Sequence, residues 1–315
     1  MPETFRRIGI VGSGAIGCYF GARLGIAGAD VRFLMRGDLA VVRARGSILI
    51  REAGGTSALR PVAAFGSAAE VGPVDLALVA LKTTSADHAR GLVEPLLGPN
   101  TAILTLQNGL GADEFLAGLF GEERILGGLV FMAISRTGPG EVRIFHPGMV
   151  TIGELGRPPL ARTRELAELL SLSGMKVEVV DNLLESRWRK LMWNIPFNGL
   201  SIAEGGITTD RICALPALAA EARALMLEVQ AAAKAFGFSI PDAYLEKQFT
   251  VTPPMGAYQP SSLIDFLAGR EVEVEAIWGE PMRRAQAAGV RMPRLSHLYS
   301  RLVSLCPAGT LPSIP

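Results

Sequence analysis

Gly12, Gly14 and Gly17 stand in the run Arg7-Ile8-Gly9-Ile10-Val11-Gly12-Ser13-Gly14-Ala15-Ile16-Gly17. This is a G-x-G-x-x-G that follows a short β-branched stretch and opens a helical one. In that setting Gly12 permits the tight turn, Gly14 lets a pyrophosphate reach the backbone, and Gly17 lets the helix pack close on the strand. Ser13, Ala15 and Ile16 complete the turn, whose free N–H groups and positive dipole end attract phosphate. The motif implies a dinucleotide cofactor. Residues 30–35 read as the second strand, and Arg36 follows it. An acidic residue there would bind the ribose 2′-hydroxyl of NAD, whereas the planar fork of an arginine pairs with a 2′-phosphate. Asp38 lies two residues too late to take the ribose. The expected cofactor is NADPH.

Two almost wholly apolar runs, 74–81 and 101–106, have the composition of strands buried on both faces. Lys82 follows the first and Gln107-Asn108-Gly109 the second. In a parallel α/β sheet ligands lie at the carboxyl ends of the strands, so Lys82 and Asn108 are candidates for the cofactor and reacting group rather than a snorkelling lysine and a turn asparagine. Lys190, Asn194 and Asn198 recur at i, i+4 and i+8, which places them on one helix face. Amides are poor choices for a helix interior, so the stripe is either a satisfied polar network or the lining of a site. In the second case a lysine in apolar surroundings loses basicity and transfers its proton near neutral pH. Pro196 interrupts the run and is expected to kink the helix. A third cluster contains Ser261, a candidate helix cap, together with Asp265, Glu271, Glu273 and Glu275. The three glutamates alternate and cannot share one helix face.

The elements that must position these residues divide at 181–182. The first 181 residues alternate strands and helices, with strands at 7–12, 30–35, 74–81, 101–106, 125–132, 141–145, 149–152 and 176–180, and a helix at 162–172. Gly138-Pro139-Gly140 and His146-Pro147-Gly148 read as turns between antiparallel additions. Residues 182–315 are helical by periodicity, at 183–203, 214–237, 241–250, 262–289 and 293–305, and end in a tail, 307–315, expected to fray. The fold class is α/β: an N-terminal Rossmann-type doubly wound sheet with an all-helical C-terminal domain.

At 315 residues, 49% hydrophobic and a net charge of +1, the chain is long enough for two cores and carries no charge bias toward nucleic acid or anionic membranes. No apolar run reaches membrane-spanning length. Cys18, Cys213 and Cys306 are scattered, and His88, His146 and His297 share no ligand spacing, so no disulfide framework and no metal site is expected. The expected setting is cytoplasmic and the expected partner a small molecule; a homodimer is left open.

Taken together, Gly12-Ser13-Gly14-Ala15-Ile16-Gly17, Arg36, Leu81-Lys82-Thr83, Gln107-Asn108-Gly109-Leu110-Gly111, Gly153-Glu154, Trp188-Arg189-Lys190-Leu191, Asn194, Asn198, Ser261, Asp265, Gly269-Arg270 and Glu273 resemble the ketopantoate reductase (2-dehydropantoate 2-reductase) family over nearly the whole chain. The resemblance implies an N-terminal NADPH-binding domain (1–181) and a helical domain (182–315) that binds a 2-keto acid and carries the catalytic lysine. It implies Lys190 as proton donor, Asn194 and Asn198 as substrate ligands, and Ser261 as the carboxylate ligand, with Asp265 in the same substrate-binding set. It also implies Glu273 beside the nicotinamide end, and Lys82 and Asn108 along the cofactor and the reacting carbonyl. Val272, the Gly206-Ile207-Thr208-Thr209-Asp210 turn and Trp278 depart from the family pattern. They imply, as an alternative, a paralogue with its pocket altered at Thr208 and Trp278 that reduces another 2-keto acid. A non-catalytic NADPH-binding regulator is a further alternative, since fold alone does not fix function; Lys190, Asn194 and Glu273 weigh against it.

Overall fold

The computed structural model describes residues 3–306; residues 1–2 and the tail 307–315, expected to fray, lie outside the described residues. The chain forms two compact units: one takes the residues up to Gln107 together with Ala112–Leu183, and the other takes Asn108–Gly111 and the chain from Leu184 on. The division therefore falls slightly beyond 181–182. The short 108–111 loop, inside the sequence-defined first domain, packs with the helical unit.

The first unit holds one sheet built from β1 (Arg7–Val11), β2 (Asp30–Leu34), β3 (Ile48–Glu52), β4 (Gly55–Leu59), β5 (Ala63–Phe65), β6 (Val74–Val79), β7 (Leu97–Thr105), β8 (Ile125–Gly138), β9 (Glu141–Glu154) and β10 (Val177–Val179). The strand order is β4-β3-β9-β8-β7-β6-β1-β2-β5, with β10 on β9. From β5 to β8 every pairing is parallel, while β8–β9 and β3–β4 are antiparallel. Its helices are α1 (Ala15–Ile26), α2 (Leu39–Arg45), α3 (Ala68–Val71), α4 (Ala89–Val93), α5 (Ala112–Phe120) and α6 (Ala161–Leu172). The period of two along the central strands separates two cores. Ile8, Ile10, Leu76, Leu78, Ala102 and Leu104 pack with residues of α1 and α6, such as Phe20 and Leu169. Val11, Ala77, Val79 and Ile103 pack on the other face with residues of α3, α4 and α5, such as Val71, Val93 and Leu116. This is the doubly wound arrangement that the apolar runs imply.

Two readings of this half need correction. Strands β3, β4 and β5 carry no strong apolar run and escape the periodicity argument; Ile48 and Ile50 are buried in them while Arg51 is exposed. The expected turn at His146-Pro147-Gly148 is an irregularity inside the continuous strand β9. There Gly148 has φ +46°, and a Cβ on it would lie 1.6 Å from the Phe131 carbonyl oxygen. Only glycine admits that approach across the ladder.

The second unit comprises α7 (Leu183–Ala203), α8 (Thr209–Ala214), α9 (Pro216–Ala235), α10 (Asp242–Val251), α11 (Ser261–Leu267), α12 (Glu280–Ala287) and α13 (Pro293–Leu305). Its core gathers Trp188, Leu191, Ile195, Phe197, Val229, Trp278 and Leu298 around α7. From Leu191 to Ile202 α7 is buried on nearly all sides, which is the signature of a central helix. It continues through Pro196, the residue expected to kink it. A mid-helix proline costs about 3 kcal/mol, which full burial of Ile195 and Phe197 offsets at about 1.5–3 kcal/mol each. The single helix expected over 262–289 is instead α11, an irregular link, a π-helical turn at Glu275–Gly279, and α12. Gly269 (φ +62°) stops α11, and Asp265 clamps the turn by accepting the Arg270 Nε–H at 2.8 Å. Among the described residues no helix is long and apolar enough to cross a membrane.

Candidate active site

In the first unit the glycine-rich turn has the shape a dinucleotide requires. Gly12 has φ +103°, and a Cβ on it would lie 2.7 Å from the Ala80 carbonyl carbon. Gly17 sits on the turn itself, its would-be Cβ 1.9 Å from the Gly12 oxygen, whereas Gly14 faces open space with nothing within 4 Å. No side chain caps α1 and no carboxylate occupies its first turn. The turn formed by Gly12, Ser13, Gly14, Ala15, Ile16 and Gly17 therefore leaves its N–H groups to an anion, and its residues fit a pyrophosphate. Arg36 is exposed just past β2 and has no ion-pair partner among the described residues. Asp38, by contrast, is 5% exposed. It accepts from the Arg136 guanidinium and, at 2.9 Å, from the Gly140 N–H at the β8–β9 turn. The one carboxylate near the end of β2 is thus committed to structure. Lys82 is partly buried at the end of β6, where a short 3₁₀ segment begins at Thr83.

The second unit holds a chain of polar contacts centred on Asn108. Its Oδ1 accepts from Lys190 Nζ at 2.9 Å, and its Nδ2 donates to Glu273 Oε2 at 3.3 Å. These residues are 82 and 165 positions apart in sequence. Close backbone packing holds the turn that presents Asn108. Gly109 has φ +79° and its would-be Cβ lies 2.1 Å from the Ala276 oxygen, and the Leu110 N–H donates to that oxygen at 2.9 Å. Burial, foremost, and the neighbouring Arg187 charge together lower the Lys190 pKa to about 7, with Glu273 opposing both. An amine with a pKa near 7 holds and releases a proton at physiological pH.

The other sequence candidates separate. Asn194, one turn after Lys190, is 8% exposed and makes no side-chain hydrogen bond among the described residues. Its amide is available to a ligand, since a buried polar group without a partner is costly. Asn198 behaves differently. It is 1% exposed, and its Oδ1 accepts the Ser262 N–H at 3.0 Å. That contact satisfies a free donor at the start of α11 and uses one of the two lone pairs of its carbonyl. Ser261 is exposed at the first position of α11. Pro260 takes the cap position with no side-chain bond, so the capping reading does not hold. Asp265 is taken up by Arg270. Trp278 is fully buried, and its indole N–H donates to the Ile195 carbonyl at 2.9 Å; a Cβ on Gly199 would lie 2.8 Å from that nitrogen. Trp278 is therefore packed into the core against α7. The Thr208 hydroxyl donates to the Asp210 carboxylate, and Val272 is core. Glu154, part of the matched pattern, is 1% exposed and accepts from Arg162 at 2.6 Å as well as from Arg157 and Thr163. It is a structural anion in the first unit.

Sequence reasoning overlooked Arg187. It is 4% exposed, precedes Lys190 by three residues on α7, and donates through NH1 to the Gly109 carbonyl at 3.3 Å. The i, i+3 spacing was the available signal.

A phosphate-binding βα turn, an exposed arginine after the second strand, and a half-buried lysine on a helical unit define a dinucleotide-dependent oxidoreductase. Comparisons with known proteins give the family. The model described as ketopantoate reductase PanE/ApbA matches residues 8–157, and its C-terminal counterpart matches 182–304. The chain belongs to the ketopantoate reductase family. It is 36% identical over 302 residues to a 2-dehydropantoate 2-reductase of Nostoc sp., covering 94% of each chain. The crystal structure of 2-dehydropantoate 2-reductase from Geobacter metallireducens superposes with a TM-score of 0.92 at 39% identity, covering 95% of this chain and 99% of that one. That of the Methylococcus capsulatus enzyme gives 0.87 at 32% identity, covering 95% and 96%.

Proposed function

We propose that the protein reduces 2-dehydropantoate to pantoate, a step of pantothenate synthesis, with NADPH as reductant and Lys190 as general acid. The observation that carries this reading is the half-buried lysine, its pKa near 7, held by Asn108. Gly12, Ser13, Gly14, Ala15, Ile16 and Gly17 would hold the pyrophosphate, Arg36 the 2′-phosphate, and Lys82 a site at the end of β6. When bound, the nicotinamide supplies a hydride to the keto carbon. As that C–H bond forms, the carbonyl π electrons move to oxygen, and the Lys190 N–H breaks to give the hydroxyl and a neutral amine. Asn108 holds Lys190 in position while Glu273 fixes the Asn108 amide. The unpaired Asn194 amide and the exposed Ser261 hydroxyl are the groups left to orient the 2-keto acid and its carboxylate. The unpaired thiols of Cys18, Cys213 and Cys306 fit a reducing cytoplasmic setting.

NADPH oxidation with 2-dehydropantoate and three other 2-keto acids tests the reading. The expected result is the highest kcat/KM on 2-dehydropantoate; turnover of none of the four overturns it. Lys190→Ala should lower kcat by about a hundredfold or more with the NADPH Kd unchanged, because the phosphates are held elsewhere. A near-normal kcat would remove Lys190 from the chemistry.

A further inference from the structure

We propose that Arg187 is a positioning residue of this site: from one helical turn before Lys190 its guanidinium ties down the Asn108–Gly109 turn and sets a second positive charge beside the catalytic amine. The inference rests on the reading of Lys190 as the proton donor. Three observations carry it. Arg187 is 4% exposed, on the same stretch of α7 as Lys190. Its NH1 donates to the Gly109 carbonyl, the residue next to the asparagine that accepts from Lys190. The Gly109 turn meets the Ala276 backbone on its other side, so Arg187 and the Ala276 oxygen grip it from two directions.

An arginine held at that place acts twice. Its rigid fork fixes the turn, and its permanent charge disfavours the protonated form of Lys190. The charged groups acting on Lys190 are Arg187, from its own helix, and Glu273, from the link ahead of the π turn; Asn108, from the loop, is neutral. Arg187 and burial push the amine toward neutrality, and Glu273 holds it back. The arginine thus keeps the lysine able to give up its proton near pH 7, which an amine of ordinary basicity does poorly.

Two substitutions separate charge from grip. Arg187→Gln keeps a donor for Gly109 but removes the charge, and Arg187→Lys keeps both charge and donor. The readouts are the alkaline limb of the kcat–pH profile and the Lys190 titration followed directly by NMR of isotope-labelled lysine. In Arg187→Gln both should move to higher pH by about one unit or more, while Arg187→Lys should stay near the native value. Native-like titration of Lys190 in Arg187→Gln overturns the proposal. The direct titration keeps that failure distinct from failure of the proton-donor reading, which Lys190→Ala tests by itself.

Discussion

As the proposed proton donor, Lys190 combines two demands that conflict, since a donor must be charged before it acts and this amine is placed where charge is disfavoured. Burial and Arg187 lower its pKa from 10.5 to about 7. The folded protein therefore binds a proton here less readily than the unfolded chain, and the charge costs stability. The cost is fully present below pH 7 and fades as the pH rises toward 10.5, where neither state is protonated. Lys190→Met should accordingly be more stable than the native protein at pH 6, by roughly 1 kcal/mol or more, with the gap narrowing by pH 9. Thermal denaturation at the two pH values checks this, and equal melting temperatures at pH 6 would mean the amine is not held at a depressed pKa. The same titration sets the working range. If Lys190 is the proton donor, reduction consumes a protonated lysine and kcat should fall as the pH rises above about 7.

At the scale of elements, the proposed catalytic arrangement hangs on the Asn108–Gly111 loop. The loop is tied to the helical unit by the Leu110 N–H, the Arg187 guanidinium and the backbone approach of Gly109 to Ala276. Gly109→Ala forces a Cβ to within 2.1 Å of the Ala276 oxygen at φ +79°. The loop must shift, and Asn108 moves with it relative to Lys190. We expect kcat to fall by about tenfold to a hundredfold, since displacements near 1 Å carry penalties of that order, with the NADPH Kd unaffected. A kcat within twofold of native in a variant that melts normally would show that the placement of Asn108 does not limit turnover.

For the whole molecule, cofactor choice couples to stability through the first unit. NADPH at a hundred times its Kd should stabilise the protein by about 2.7 kcal/mol. The charge-assisted pair that Arg36 would make to a 2′-phosphate is worth about 1.5 kcal/mol or more, so NADH at the same concentration should give only about 1.3 kcal/mol. Arg36→Ala should close the gap by weakening the NADPH effect alone. Equal stabilisation of the native protein by both cofactors would remove Arg36 from cofactor selection.

What the sequence determined by itself was whatever follows from local backbone geometry and periodicity. Gly12, Gly14 and Gly17 are dictated by turn sterics, the apolar runs around Leu76 and Ile103 by burial on two faces, and α7 by its length and pattern. Lys190 was legible because it shares a helix face with Asn194, and the family resemblance gave it a role, while its contact with Asn108 appeared only in the structure. The tertiary structure alone decided which polar residues were spoken for. Asn198 bonds the start of α11, Trp278 bonds Ile195, Asp38 bonds the β8–β9 turn, and Arg187 grips Gly109. It also decided the break at Gly269, which helical periodicity runs straight across. The reason is physical. Desolvation, charge proximity and hydrogen-bond commitment depend on atoms brought together from positions as far apart as 108 and 273, and no local pattern records that distance.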